Sequence, residues 1–163
     1  AEVQLFWERL DLVDIIASDH APHTREEKES AMPPPGVPGL ETMLVLLLYA
    51  VEMGWLTLER MIDLTFHNVL KIYGMRAPER SWVEVEITEP YRLPADGYHT
   101  RCGWSPFVGQ WALGRVERVY LRGEIVWENG KVLATPGYGC PLGFREEALG
   151  REGERIGGQN GTG

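Results

Sequence analysis

The sequence predicts an α/β fold in which one strand and a set of helices come first and antiparallel strands follow. Residues 13–18 form a short apolar run of the kind found in buried strands. Residues 40–53 repeat apolar side chains with the helical period, whereas residues 82–87 alternate between apolar and polar with period two. This change of period places a boundary near residues 75–81.

Size and composition exclude several classes of protein. The 163 residues are 44% hydrophobic and 25% charged, as in a soluble globular protein with one ordinary core. A net charge of −8 and the lack of a basic stripe argue against a nucleic-acid partner. The longest apolar stretch, residues 43–51, is too short to span a bilayer. Cys102 and Cys140 have no C-x-x-C spacing, and we expect free thiols in a reducing cytoplasm.

The first elements carry clear start and stop signals. Residues 1–12 have the character of the end of a helix, and the predicted strand at 13–18 follows. Thr24 and Glu27 fit a capping box, which predicts a short helix. The Pro-Pro-Pro-Gly-Val-Pro-Gly run at 33–39 then ends this helix and predicts a stiff loop with sharp turns.

The helix predicted at 40–53 is apolar on most faces. Such a helix is buried nearly all round, and it therefore needs packing partners on several sides. Gly54 is expected to end it. Thr57 is expected to cap the next helix, and a further helical turn runs to Gly74.

The remaining elements are predicted to be strands. Residues 82–87, 116–121 and 125–127 have the composition and period of strands. Asn129 and Gly130 form the two-residue turn that is typical of a β-hairpin.

The candidate chemistry lies directly after the strand predicted at 13–18, in the sequence Ser-Asp-His-Ala-Pro-His at 18–23. In α/β barrels the loops after the carboxyl ends of the strands build the active site. The proline prevents a helix, so Asp19 and His23 lie on a loop that can aim both side chains at one pocket. The alternative is structural, because Ser-Asp before a turn is often only a cap or an Asx-turn.

Two segments together resemble the dihydroorotase family of the amidohydrolase superfamily, and most closely the dihydroorotase domains of multifunctional animal pyrimidine-synthesis proteins. The segments are Ser-Asp-His-Ala-Pro-His-Thr at 18–24 and Pro-Pro-Pro-Gly-Val-Pro-Gly-Leu-Glu-Thr-Met-Leu at 33–44. Shorter likenesses occur at 82–85, 104–107, 121–124 and 136–139. The resemblance implies a (β/α)8 amidohydrolase barrel with a small β-sandwich built from both ends of the chain.

The resemblance divides the chain into three parts. Residues 1–76 would supply the last strand, the active-site loop and helices of the metal-dependent barrel. Residues 77–145 would supply strands of the β-sandwich and a C-terminal extension. Residues 146–163 are rich in glycine and polar side chains, and we expect a disordered tail.

The resemblance also implies the chemistry, which is the zinc-dependent, reversible cyclisation of N-carbamoyl-L-aspartate to L-dihydroorotate in pyrimidine biosynthesis. Asp19 would bind zinc and carry a proton from the bridging hydroxide to the ring nitrogen, since a carboxylate can do both. His23 would hold the substrate's carboxylate through a charge-assisted hydrogen bond. The backbone at Ala21 and Gly36 would face the pyrimidine ring, because glycine permits close approach.

The other metal ligands of the family are missing from this sequence. The family uses a His-x-His pair, a carboxylated lysine and two further histidines, and a binuclear site needs several ligands in fixed geometry. His20 is expected to pack or to orient its neighbour, and structural roles are expected for His67 and His99. The chain also begins with Ala1. We therefore expect the C-terminal portion of a dihydroorotase, inactive alone.

The sequence leaves three other interpretations open. A hydantoinase or allantoinase is expected to lack both His23 and the proline-rich loop. A non-catalytic dihydroorotase-like assembly subunit usually loses its metal ligands, whereas Asp19 is kept. A free-standing binding module would expose too much of the apolar helix at 40–53. The expected partners are the substrate, a second copy of the chain or aspartate carbamoyltransferase, with no nucleic acid and no membrane.

Overall fold

The computed structural model describes residues 2–143, so the tail predicted at 146–163 lies outside the described residues. The first half of this region is helical. Its helices are α1 (Glu2–Glu8), α2 (Arg25–Lys28), α3 (Leu40–Glu52), α4 (Leu58–Ile62) and α5 (Asn68–Ile72), with a 3₁₀ turn at Leu10–Leu12 and a π-helical turn at Asp63–His67.

The second half consists of antiparallel strands. They are β1 (Trp82–Glu86), β2 (Tyr91–Arg92), β3 (Trp111–Ala112), β4 (Arg115–Leu121), β5 (Glu124–Glu128) and β6 (Lys131–Val132). One sheet has the order β1-β4-β5-β6, and β2 pairs with β3 in a second sheet. The change from helix to strand falls at residues 73–81. The predicted α/β class is therefore confirmed, with helices first and strands second.

Two tight hairpins join β4 to β5 and β5 to β6 within the four-stranded sheet. Between β5 and β6, Asn129 and Gly130 have φ values of 48° and 79°, the positive values that a type I′ turn requires. The predicted Asn-Gly hairpin is thus confirmed. Across β1 and β4, Trp82 is paired with Tyr120 and their rings stack at 4.2 Å between centroids.

The strand predicted at residues 13–18 is not formed within residues 2–143. The Ile16 N–H donates to the carbonyl of Leu64 at 3.0 Å, and the Arg60 guanidinium donates to the carbonyl of Val13 at 2.7 Å. A strand needs a neighbouring strand to complete its ladder, and the described residues offer this segment helical groups instead. The segment is therefore held by single hydrogen bonds from the α4–α5 region.

Helix α3 lies at the centre of the described fold. On one side Leu47 packs in a buried cluster with Leu64, and on the other Val45 packs with Leu93 and Ala112. The prediction that this helix is covered on most faces is confirmed, because buried side chains occur around most of its circumference. The helical segments and the strand segments thus both pack against α3.

The predicted helix ends and caps are also confirmed. After α3, the chain turns at Gly54 and the Trp55 N–H donates to the carbonyl of Ala50 at 3.0 Å, as in a Schellman motif. The hydroxyl of Thr57 accepts a hydrogen bond from the Arg60 N–H at 3.1 Å and caps α4. Because these signals are local, the sequence alone is sufficient to place them.

The described part of the chain contains no helix with the length and apolar character needed to cross a membrane. Cys102 and Cys140 are both free, as predicted.

Candidate functional site

The two motif segments lie side by side. The Ala21 N–H donates to the carbonyl of Val37 at 3.1 Å, next to an isolated parallel bridge between His20 and Val37. From α2, the Lys28 ammonium donates to the carbonyl of Gly36 at 3.1 Å. Residues 18–23 and the proline-rich loop therefore form one structural unit, which we refer to as the motif loop.

Two glycines allow this close pairing. A Cβ atom on Gly36 would lie 2.6 Å from the Cβ of Ala21 and 2.7 Å from its carbonyl oxygen. A Cβ atom on Gly39 would lie 2.5 Å from the carbonyl oxygen of Ser18. Neither position has room for a side chain. The resemblance implies that Gly36 faces a ligand, and within the described residues its close approach is to the Cβ and the carbonyl of Ala21.

Replacing Gly36 by alanine is expected to destabilise the protein by about 3 kcal/mol or more, because steric overlap adds to the cost of a positive φ. Gly36 has φ 101°. Gly97 is a matched control, since its φ is 88° but a Cβ there would meet nothing within 4 Å. Gly97→Ala should cost only about 1 kcal/mol. Urea denaturation measures the free energy of unfolding of both variants. Equal losses of this free energy would show that the contact of Gly36 with Ala21 is not tight.

Asp19 occupies an unusual backbone conformation. Its φ is 42°, in the left-handed region that few residues other than glycine, asparagine and aspartate adopt. The residue is exposed, and no group within residues 2–143 donates a hydrogen bond to its carboxylate. The motif loop thus presents an unpaired carboxylate to solvent, where it can bind a cation or exchange a proton.

The described residues do not fit a zinc centre by themselves. Nowhere in residues 2–143 do three or more His, Cys, Asp or Glu side chains come together in a group that could hold a metal ion. A protein zinc site requires three or four protein ligands. Asp19 can therefore supply one ligand but cannot form the site with its described neighbours.

His20 caps a helix. Its Nδ1 accepts hydrogen bonds from the N–H groups of Gly39 and Leu40, both at 3.2 Å, at the start of α3. These donors would otherwise lack an acceptor, as at every helix N-terminus. Because Nδ1 accepts, the ring carries its proton on Nε2. The cap has no local signal in the sequence, since the acceptor lies 19 residues before the donor.

His23 is held at both its ring and its backbone. Its Nδ1 lies 3.4 Å from the Glu27 carboxylate, and its carbonyl accepts a hydrogen bond from the Trp104 indole at 2.8 Å. Glu27 also closes the predicted capping box with Thr24, which is confirmed. The hydrogen bond from the Thr24 N–H lowers the pKa of the Glu27 carboxyl, and the neighbouring His23 lowers it further. The Nε2 of His23 has no partner in the described chain, so it is available to a ligand.

A long loop from the strand region covers the motif loop. We refer to residues 93–110, between β2 and β3, as the covering loop. The Glu41 carboxylate, in the first turn of α3, accepts from the N–H groups of His99 and Thr100 at 2.7 and 2.8 Å. A cavity of about 10 Å³, the size of one water, remains between His20 and the covering loop.

The two other histidines take local roles. His67 lies in the π-helical turn, where its Nδ1 is 3.0 Å from the Asp63 carboxylate. His99 contributes its backbone N–H to Glu41. Neither ring belongs to a cluster of metal-binding side chains in the described chain.

Comparison with known proteins identifies a multifunctional protein and dihydroorotases among the relatives of this chain. No family model matches the chain. It is 46% identical over 138 residues to the multifunctional protein CAD of Squalus acanthias. This match covers 85% of this chain and 6% of that protein. It is 40% identical over 138 residues to the dihydroorotase of Pyrococcus abyssi, and this match covers 80% of this chain and 33% of that enzyme. The resemblance to dihydroorotases is confirmed, and the chain spans a third or less of the length of these two relatives.

Solved structures agree on the fold. The L-hydantoinase (dihydropyrimidinase) from Arthrobacter aurescens matches with a TM-score of 0.78 and 27% identity, over 89% of this chain and 36% of its own. The inactive dihydroorotase-like domain of the Chaetomium thermophilum CAD-like multifunctional protein matches with a TM-score of 0.64 and 26% identity. This match covers 82% of this chain and 38% of that chain. Both are amidohydrolase barrel proteins. The predicted fold class, the end of an amidohydrolase barrel followed by strands, is therefore confirmed.

Proposed function

We propose that this chain supplies the active-site loop and the C-terminal strands of a dihydroorotase, which interconverts N-carbamoyl-L-aspartate and L-dihydroorotate. The motif loop carries the proposal. It presents the unpaired Asp19 carboxylate and the free Nε2 of His23 within one braced loop. The 46% and 40% identities to CAD and to a dihydroorotase support the assignment of this loop to that reaction.

The roles follow from the groups that are left available. Asp19 exchanges a proton with the ring nitrogen, since no protein donor in the described chain occupies its carboxylate. His23 donates from Nε2 to the substrate's carboxylate, while Glu27 holds the ring at Nδ1. The N–H of Ala21 is already used by Val37. Its carbonyl and the N–H of Gly36 have no partner within residues 2–143, and we assign them to the pyrimidine ring.

We propose zinc as the cofactor of the complete enzyme, with Asp19 as one ligand. The described residues leave every other ligand to be supplied from elsewhere. The two free cysteines suit a cytoplasmic enzyme. We also propose association with aspartate carbamoyltransferase, and the match to a multifunctional protein supports association with further activities in general.

Replacing His23 by alanine, in a dihydroorotase that contains this chain, is expected to raise KM for both substrates by about 10- to 100-fold, the size of one lost hydrogen bond to a charged group. Zinc content should stay unchanged. His67→Ala is the matched control, because His67 also pairs with a carboxylate four residues away but lies in the π-helical turn. Loss of zinc together with activity would instead place His23 among the metal ligands.

A second candidate is a hydantoinase, which the TM-score of 0.78 to the Arthrobacter aurescens enzyme supports. The two functions differ in whether the cyclic amide carries a carboxylate. Parallel assays with dihydroorotate and with hydantoin distinguish them, and we expect turnover of dihydroorotate. Turnover of hydantoin alone would establish the second candidate.

A third candidate is an assembly subunit without activity, which the similarity to the inactive Chaetomium thermophilum domain supports. The same assays test it. Absence of turnover with both substrates, in a protein that contains this chain and is loaded with zinc, would favour the assembly role.

A further inference from the structure

We infer that Trp104 is a positioning residue for His23, and that the covering loop determines where the His23 ring lies. The inference rests on the proposed function, in which this ring binds the substrate's carboxylate. It assigns part of the substrate specificity of the site to the strand region, outside the motif loop.

The contact joins parts of the chain that are far apart in sequence. The Trp104 indole N–H donates to the His23 carbonyl over 2.8 Å and across 81 residues. That carbonyl belongs to the peptide group between His23 and Thr24, where the motif loop passes into α2. Because the indole fixes the plane of this peptide, it limits rotation of the backbone that carries the imidazole.

The second restraint on His23 comes from α2. Glu27 lies 3.4 Å from Nδ1 of the ring and is itself held by the Thr24 N–H at 2.8 Å. With Nδ1 facing Glu27, only Nε2 is left to contact a substrate. The direction of Nε2 therefore depends on two anchors, one at the ring and one at the carbonyl, and only Trp104 supplies the second among the described residues.

The covering loop, which carries the indole, is held by α3. Glu41 accepts two backbone N–H groups of the covering loop, those of His99 and Thr100, and such bonds to a carboxylate are stronger than neutral ones. Further along this loop Ser105 is buried, and its hydroxyl accepts from the Phe107 N–H at 3.2 Å. The loop around Trp104 is thus ordered on both sides of the indole.

Helix α3 closes the connection back to the motif loop. Its first N–H groups are capped by His20, and its first turn carries Glu41. The motif loop, α3 and the covering loop consequently form a ring of contacts that returns to His23 through Trp104. Displacement of a binding group by about 1 Å can cost roughly 100-fold in rate, so a positioning contact of this kind matters for substrate use.

The test uses Trp104→Phe in a dihydroorotase that contains this chain, because phenylalanine keeps an aromatic ring but has no N–H. We expect KM for dihydroorotate to rise about fivefold, as for one neutral hydrogen bond, with kcat and zinc content little changed. Trp82→Phe is the matched control, since the exposed Trp82 indole lies 3.4 Å from Glu84 on β1. This control should leave KM unchanged.

Combination with His23→Ala separates positioning from general stability. If Trp104 acts through His23, Trp104→Phe should have no further effect on KM once His23 is alanine. Glu41→Gln is a second variant that loosens the covering loop from its other anchor, and it should raise KM only when His23 is present.

The outcomes are distinct. Dihydroorotate turnover by the unmodified protein with a KM effect that depends on His23 supports the inference. Turnover with effects that add to those of His23→Ala, or that fall on kcat alone, overturns the inference and leaves the proposed function standing. No turnover by the unmodified protein overturns the proposed function and the inference with it.

Discussion

Replacing Asp19 by asparagine is expected to lower the turnover of dihydroorotate by about 10²- to 10⁴-fold, the usual contribution of a general acid or base. Asparagine has nearly the same shape, but its amide cannot accept a proton at neutral pH. It also tolerates the left-handed conformation in which Asp19 is held at φ 42°. The substitution therefore removes the chemistry while it keeps the backbone.

The measurement is kcat/KM for dihydroorotate in a dihydroorotase that contains this chain, together with the midpoint of thermal unfolding. Asp14→Asn is the control, because Asp14 is an exposed acid five positions earlier whose structural contact is through its backbone carbonyl to Asn68. The control should retain both activity and stability. Turnover by Asp19→Asn within a few-fold of the unmodified enzyme would contradict the catalytic assignment.

The 163-residue chain alone is expected to show no dihydroorotase activity and to bind no stoichiometric zinc. Asp19 is the one zinc ligand that we propose from this chain, and residues 2–143 offer no cluster of three metal-binding side chains. Poor solubility is expected as well. An open apolar groove of about 670 Å³ runs between α1 and Trp55, and Val3 at its edge is 71% exposed. Exposed apolar surface of this kind favours association.

The decisive experiment purifies the chain with added zinc, determines its metal content and assays it with dihydroorotate. The assay is then repeated after mixing with the part of a related dihydroorotase that the chain does not match. We expect turnover only after mixing, with zinc retained by the mixture. Turnover by the chain alone would show that this ligand count is wrong and that the chain forms a complete site by itself.

The features that the sequence predicted well are those with local signals. The boundaries of α3, the Thr24–Glu27 capping box and the Asn-Gly hairpin each depend on residues within a few positions of one another. The position of Asp19 and His23 on a loop followed from a single proline, Pro22. Such patterns restrict the backbone directly, so tertiary context does not alter them.

The features that the sequence did not predict depend on distant residues. The cap of α3 by His20 and the hold of Trp104 on His23 join positions 19 and 81 residues apart. The fit of Gly36 against Ala21 has no signal beyond the glycine itself. The strand predicted at 13–18 failed for a related reason, because apolar composition indicates burial but cannot supply the neighbouring strand that pairing requires.

The separation between His23 and Trp104 has a consequence for biosynthesis. At about 5–20 residues per second, a ribosome adds the indole roughly 4–16 s after the histidine. A contact of this range also forms late in folding, since the entropy of closing the intervening loop must be overcome first. The nascent motif loop therefore remains without its indole anchor for seconds, and until then Glu27 is the group that restrains the His23 ring.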